Sequence, residues 1–477
     1  MKHVSFRQVG NRSVNPIRVN RAFLLILIAT AVAASWRPCL AADEPTPPKA
    51  ACAVVVKKST AEDTQWRKVV TAIMKKHNAS VIKYSASVDE SLDALKQKFP
   101  RYTCFVTKPE DAGRDFVARV HRLTRKLDDD PYTDTFWGIL TGYNAANALA
   151  IASHSKPLVV RKVASGTEFA TEMVTEGQWY DELVKNKHVK KDPGGKAKEL
   201  KGPDDTTKPL VDLLNDYKAD LMITSGHATE RDWQIGFRFR SGQFRCADGR
   251  MYGLDRKNAR HPIDSPNPKV YMPIGNCLMG HIKDRDAMAL AWMNSVGVKQ
   301  MIGYTIPTGY GYGGWGCLDY FVEQPGRYTF TEAFLANHHA LVQRMTDPKT
   351  DARTQRRLRG DLNVVAFYGD PKWSARMASM PTYYNQKLEI KDGVYTLTIT
   401  PNRGEDSFKP VNTNGSERGW RPIVQFLPHR IKDIKIVAGD DLDPVVTDDF
   451  ILIPNPRKCN SDSRYVVRFK AKVIAPG

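Results

Sequence analysis

From Cys52 onward, short apolar runs alternate with amphipathic stretches, and this alternation limits the fold more than any other feature of the chain. ACAVVVKK, ASVIKYSA, YTCFVTKP and TFWGILTG read as strands. DTQWRKVVTAIMKKHN, VDESLDALKQKF, DAGRDFVARVHRLTRKL and NAANALAIASH read as helices. Strands separated by helices predict a parallel, doubly wound sheet. At 477 residues the chain exceeds the roughly 250–300 at which single cores stop growing, so two or three domains are expected.

The same pattern resumes after a break. Residues 185–209, KNKHVKKDPGGKAKELKGPDDTTKP, are charged, aperiodic and rich in Pro and Gly, and predict an exposed linker loop. The strands DLMITSGHA, KVYMPIGNC, VKQMIGYTI and NVVAFYGDP then alternate with three further helical stretches, and past about Met380 helical periodicity gives way to VYTLTIT, IVQFL, FILIP and YVVRFKAKVI. The expected division is an α/β subdomain over 43–184, the linker, a second α/β subdomain over 210–379 and a β-sandwich over 380–477.

Ahead of these lie 42 residues with six basic side chains, no acids and the run AFLLILIATAVAA, closed by Cys39-Leu40-Ala41-Ala42. The run is short of the about 20 residues a membrane span needs and ends in small residues, so it predicts a cleaved signal peptide and a secreted, periplasmic or cell-surface protein with no stable membrane span. Removing it lowers the formal charge from +19 to +13. No Arg/Lys and aromatic motif accompanies that charge, which predicts solvated surface and no nucleic-acid partner. Six cysteines remain, too few for a disulfide framework in a chain this long. Cys52 and Cys104 open similar strands, where they are either side by side or two buried thiols.

Reacting groups in open α/β sheets collect beyond the carboxyl ends of strands. LMIT-Ser225-Gly226-His227-Ala228 places a histidine there, and VYMPI-Gly275-Asn276-Cys277-Leu278-Met279-Gly280 places a cysteine beyond the next predicted parallel strand. An imidazole beside a thiol favours thiolate formation and can protonate a leaving amine, and the backbone N–H groups near Gly226, Ala228 and Cys277 are candidate oxyanion donors. Cys277, His281 and His227 are an alternative metal set, with i,i+4 spacing if a helix starts at Cys277. A third feature is TGYGYGGWG, in which Gly309, Gly311 and Gly314 fit G-x-G-x-x-G after a strand. That spacing suits a pyrophosphate, although the first strand lacks the glycine-rich turn that a dinucleotide fold places there.

The order strand-His, hairpin, strand-Cys, helix, strand, aromatic-glycine loop, Phe367-Tyr368-Gly369-Asp370-Pro371 and then β-structure resembles the gingipain-type cysteine peptidases of the caspase-like clan. The matching residues are His227, Cys277 with Gly280, and Tyr368 to Pro371; Ala228 and Asn276 differ from the Gly and the small residue usual at those places. The resemblance implies a caspase-like α/β fold followed by an immunoglobulin-like sandwich, protein or peptide substrates, and a Cys277–His227 dyad. It further implies a pocket for the residue before the cleaved bond walled by Tyr310, Tyr312 and Trp315; the alternative is aromatics that pack on the core. No cofactor is required, and structural calcium is admitted at acidic loops such as Asp128 to Asp130 or Asp440, Asp441 and Asp443. Asp134 is a candidate orienter of His227. Asp319 and Glu323 are expected to be solvated, and His338-His339 partly exposed. A non-catalytic binding protein on the same scaffold is the rival reading, and the oligomeric state is left open.

Overall fold

The computed structural model describes residues 52–412, 415 and 417–474, so the expected signal segment 1–42 lies outside the described residues. One twelve-stranded sheet organises the α/β part. In chain order its strands are β1 Cys52–Lys57, β2 Ser80–Tyr84, β3 Tyr102–Val106, β4 Phe136–Leu140, β5 Lys162–Ser165, β6 Glu176–Tyr180, β7 Lys187–Lys191, β8 Lys198–Lys201, β9 Leu221–Thr224, β10 Lys269–Pro273, β11 Val298–Tyr304 and β12 Val365–Gly369. Across the sheet they run β2-β1-β3-β4-β12-β11-β10-β9-β5-β6-β7-β8. The pairs from β11 through β10, β9 and β5 to β6 are all parallel, whereas β12 runs antiparallel to β11. Helices cover both faces, which is why β9 and β10 are buried at every position rather than at alternate ones.

The local choices behind this layering are readable. Helix Thr64–His77 starts where the Asp63 carboxylate accepts the Gln65 and Trp66 N–H groups. It buries Trp66, Val69, Val70 and Ile73 and ends in Lys75, Lys76 and His77, which suit the helix C-terminus. Helix Phe330–Thr346 opens with a reciprocal cap between Thr329 and Glu332.

Several expectations are corrected. The two α/β subdomains share one sheet, and β5 and β6, from the first expected segment, lie beside β9 of the second. Residues 185–209 are not a structureless loop: they contain β7 and β8, a hairpin that extends the sheet edge. Their lysines hid the strands, since an edge strand keeps only one or two inward positions, here Val189, and tolerates charge elsewhere. In the β1–β3 register Cys52 faces Tyr102 and Cys104 faces Val54, so these thiols are not side by side, and all six described cysteines are free. His338 and His339 are buried, His339 stacked on Phe450 with ring centroids 4.2 Å apart.

The C-terminal part forms two antiparallel sheets. One contains Tyr384–Lys391, Val394–Pro401, Tyr465–Val473 and Ile431–Ala438; the other contains Ile423–Phe426, Phe450–Ile453 and Val445–Val446. Alternation in the second sheet places Ile423, Ile451 and Ile453 in a core with Tyr395, Leu397, Val467 and Phe469 of the first. Val424, Phe450 and Leu452 point the other way, into the α/β core. No helix among the described residues is long and apolar enough to cross a membrane.

Candidate active site

Five neighbouring parallel strands end on one edge of the sheet, and the segment beyond each supplies a polar residue. In spatial order these are Glu182 after β6, Thr167 after β5, Ser225 and His227 after β9, Cys277 after β10 and Thr308 after β11. Glu182, Ser225, His227, Cys277 and Thr308 line an open cavity of about 430 Å³ with Phe237, Tyr310, Trp315 and Gly415. The β9–β10 register, Leu221 opposite Val270 through Thr224 opposite Pro273, brings the two loops carrying His227 and Cys277 level with each other.

The turn carrying Cys277 is held on three sides. Leu278 has the left-handed φ of +57°, costly for a branched side chain, and its N–H bonds Ile306 O at 3.2 Å. Gly280 lies against β11 so closely that a Cβ there would stand 2.2 Å from Gly303 O, which is the physical reason for glycine three residues after the cysteine. The Gly280 N–H bonds Tyr304 O at 2.9 Å, and its carbonyl accepts the Tyr368 hydroxyl at 2.8 Å, so the Tyr368 to Pro371 segment supports this turn from below. Asp370 of that segment is buried and paired with Lys76 and His77. Cys277 is half-buried, and its Sγ accepts the Thr308 N–H at 3.3 Å.

Asn276, a departure from the resembling pattern, joins the two loops. It is fully buried, its Oδ1 accepts the Thr224 hydroxyl at 2.6 Å, and its Nδ2 donates to Gly226 O at 3.1 Å. Gly226 takes a φ of +86°, open to glycine and strained for other residues, and this turns His227 outward. The His227 ring is exposed on the cavity side and stacks on Phe237, centroids 4.9 Å apart. Ala228 bridges to Trp233 and lies outside the cavity lining.

Of the three expected pocket aromatics, Tyr310 and Trp315 line the cavity and Tyr312 does not. Tyr312 opens helix Tyr312–Phe321 and is buried beneath the Arg421 guanidinium, 3.8 Å from its ring centroid. The dinucleotide reading of the glycines fails here for a specific reason. At the start of that helix the Gly313 N–H donates to the Asp361 carboxylate at 2.6 Å, and the Gly314 N–H donates to the Tyr304 hydroxyl at 3.0 Å. The donors a pyrophosphate would need are already spent on the protein's own oxygens.

Glu182 is the residue sequence reasoning missed. Its Oε1 accepts the Thr167 hydroxyl at 2.6 Å, the Ser225 hydroxyl also acts on the carboxyl, and Oε2 lies 3.1 Å from where a Gly226 Cβ would stand; among the described residues neither oxygen has a cationic partner. Burial pushes its carboxyl up to about 7, against the lowering effect of the Thr167 and Ser225 hydroxyls. The signal was the one used for His227 and Cys277: an acid two residues beyond the strand-like EGQWY.

Other expected ligands and orienters fall elsewhere. Asp134 precedes β4, whose amino end shares an edge with the carboxyl end of β9 but lies four strands away across the sheet, and it accepts the Leu127 N–H at 2.8 Å. Its carboxyl is raised by burial and by Asp128 and Asp130, with which it forms a group whose oxygens lie within 4.8 Å of one another. Residues 277–280 form a turn, not a helix, so Cys277 and His281 lose the i,i+4 relation, and they are not in the convergent ligand group found among the described residues. Asp319 and Glu323, expected in solvent, are buried against Arg418 and Arg421, with Arg418 Nε to Asp319 Oδ1 at 2.7 Å and Arg421 Nε to Asp319 Oδ2 at 2.9 Å.

No protein-family model matches the chain, and no curated protein matches it. Among solved structures, the crystal structure of gingipain R, an Arg-specific cysteine proteinase, is similar to 90% of this chain and 99% of that chain, at 12% identity and a TM-score of 0.45.

Proposed function

We propose that the chain is a caspase-like cysteine endopeptidase acting at the carboxyl edge of the sheet, exported by its N-terminal segment. The observation that carries this reading is the convergence of Cys277 and His227, from adjacent parallel strands, on one open cavity. In the proposed reaction the Cys277 sulfur attacks the carbonyl carbon of the scissile bond, and the C–N bond breaks as His227 delivers a proton to the leaving amine. Water then cleaves the thioester, its proton returning to His227. Backbone N–H groups of the Gly226–Ala228 and Cys277 turns hold the oxyanion.

Glu182 supplies the substrate preference. A buried carboxylate held by hydroxyls and no cation is costly, and a cationic side chain entering the cavity would satisfy it. Tyr310 and Trp315 would cover the aliphatic stem of that side chain. Lysine or arginine before the cleaved bond is therefore the expected choice. The chemistry needs no cofactor, and a structural cation such as calcium would bind at Asp128, Asp130 and Asp134.

The test is cleavage of a mixed peptide library by the full chain and by Cys277→Ala, read by mass spectrometry. Cuts after basic residues that disappear in the mutant are expected. A folded wild-type protein that cuts nothing would favour the non-catalytic binding role on the same scaffold.

A further inference from the structure

Helix Ala352–Asp361 carries four arginines, Arg353, Arg356, Arg357 and Arg359, all exposed. Among the described residues none of the four has an acidic partner, although the chain pairs many of its other cations. Arg353 stands three and four residues before Arg356 and Arg357, and Arg356 three before Arg359, so like charges stack on neighbouring turns. Two of the four lie in the amino-terminal half, where the helix dipole opposes a cation. This arrangement works against the helix that bears it. The Asp351 cap, the buried face with Leu358 and Asp361, and Arg359 in the last turn serve the fold.

The helix also borders the cleft. The Arg357 guanidinium lies 5.5 Å from the ring centroid of Tyr310, and Tyr310 lines the cavity holding Cys277. Glu417, which also acts on Tyr310, is already bonded to Arg344 at 2.8 Å. Arg353, Arg356 and Arg359 follow one another at i,i+3 spacing, with Arg357 beside them reaching Tyr310 at the cavity, and such a set of planar cations matches carboxylates spaced along an extended chain, because each guanidinium can hold a carboxylate through two parallel N–H bonds.

We infer that this arginine face is an exosite that binds an acidic segment of the polypeptide whose neighbouring residues occupy the cleft. The inference rests on the cleft accepting a polypeptide, and it adds a second determinant of substrate choice: a basic residue at the cleft and carboxylates several residues away. It also assigns part of the chain's positive charge to substrate capture, an interaction that weakens as salt rises.

Binding can be read without turnover. Full-length Cys277→Ala protein is titrated into fluorescein-labelled peptides that share one lysine-containing core and carry four glutamates, or four glutamines, on either the amino or the carboxyl side. Anisotropy is measured at low and high salt. The glutamate peptide of one polarity is expected to bind about tenfold tighter than its glutamine twin, with the advantage shrinking at high salt. Adding R353Q/R356Q, at two exposed positions outside the cavity lining, should remove most of that advantage while leaving the glutamine peptide unaffected. Equal binding of the twins, an advantage that survives R353Q/R356Q, or tighter binding of a single-stranded oligonucleotide to the same arginines would overturn the exosite. A wild-type protein that cuts no peptide would instead sink the peptidase reading, and the anisotropy result would still judge the arginine face.

Discussion

Two sets of buried charges in the molecule are handled in opposite ways. In one, Arg418 and Arg421 meet Asp319 and Glu323, and the Gly419 N–H adds a bond to Asp319 Oδ2 at 2.9 Å. The Arg418 guanidinium also lies 5.1 Å from the Trp315 ring centroid. Every charge in this set has a partner, and the set fastens the C-terminal sheets to helix Tyr312–Phe321. By contrast Glu182 is nearly as buried, yet it meets only hydroxyls and no cation among the described residues, at the wall of the cavity. Full ionic pairing suits a structural latch; a buried acid lacking a cation suits, in the proposed reading, a place where a cation arrives.

Breaking the latch should have the largest effect. Arg418→Ala would leave Asp319 short of a partner and Glu323 buried without its cation, at a cost of about 3–5 kcal/mol in urea unfolding. A loss below about 1 kcal/mol would mean the network contributes little. Glu182→Gln should do the reverse. The folded-state value of about 7 lies above the ordinary 4.5, so the native protein gives up stability as pH rises from about 4.5 through about 7. Removing the charge should therefore raise stability at pH 8 by about 1–3 kcal/mol and change little at pH 4. The same mutant should lose about a hundredfold in kcat/KM on lysine substrates. In the wild type, kcat/KM on those substrates should fall as pH drops through about 7, because the neutral acid no longer attracts a cation. The smallest effect belongs to the half-buried pair Arg344–Glu417: Arg344→Gln should shift stability by less than about 1 kcal/mol, since water and salt still screen such pairs.

The same contrast explains what the sequence made legible. Alternating periodicity gave the mostly parallel sheet, and the strand-end rule led to His227 and Cys277, because both signals are local. The β7–β8 hairpin was hidden because its pairing comes from the edge of β6 and not from its own lysine-rich pattern. Asp319 and Glu323 were read as solvated because their arginine partners stand about a hundred residues away. Tyr312 and Trp315 are three residues apart in one glycine-rich motif, yet only their places on helix Tyr312–Phe321 send one into the core and the other to the cavity. Asn276 looked like a departure from a pattern until its two hydrogen bonds across to the β9 loop were visible.

The most direct measurement is the rate of covalent labelling of Cys277 by two peptidyl acyloxymethyl ketones, one ending in lysine and the other in its uncharged counterpart norleucine, followed by intact-mass spectrometry. A single adduct on Cys277, formed at least about tenfold faster with the lysine reagent, is the predicted result, and Glu182→Gln should erase the difference. No adduct on Cys277, or equal rates for the two reagents in the wild type, would contradict the account of a reactive cysteine served by a buried acid that lacks a cation.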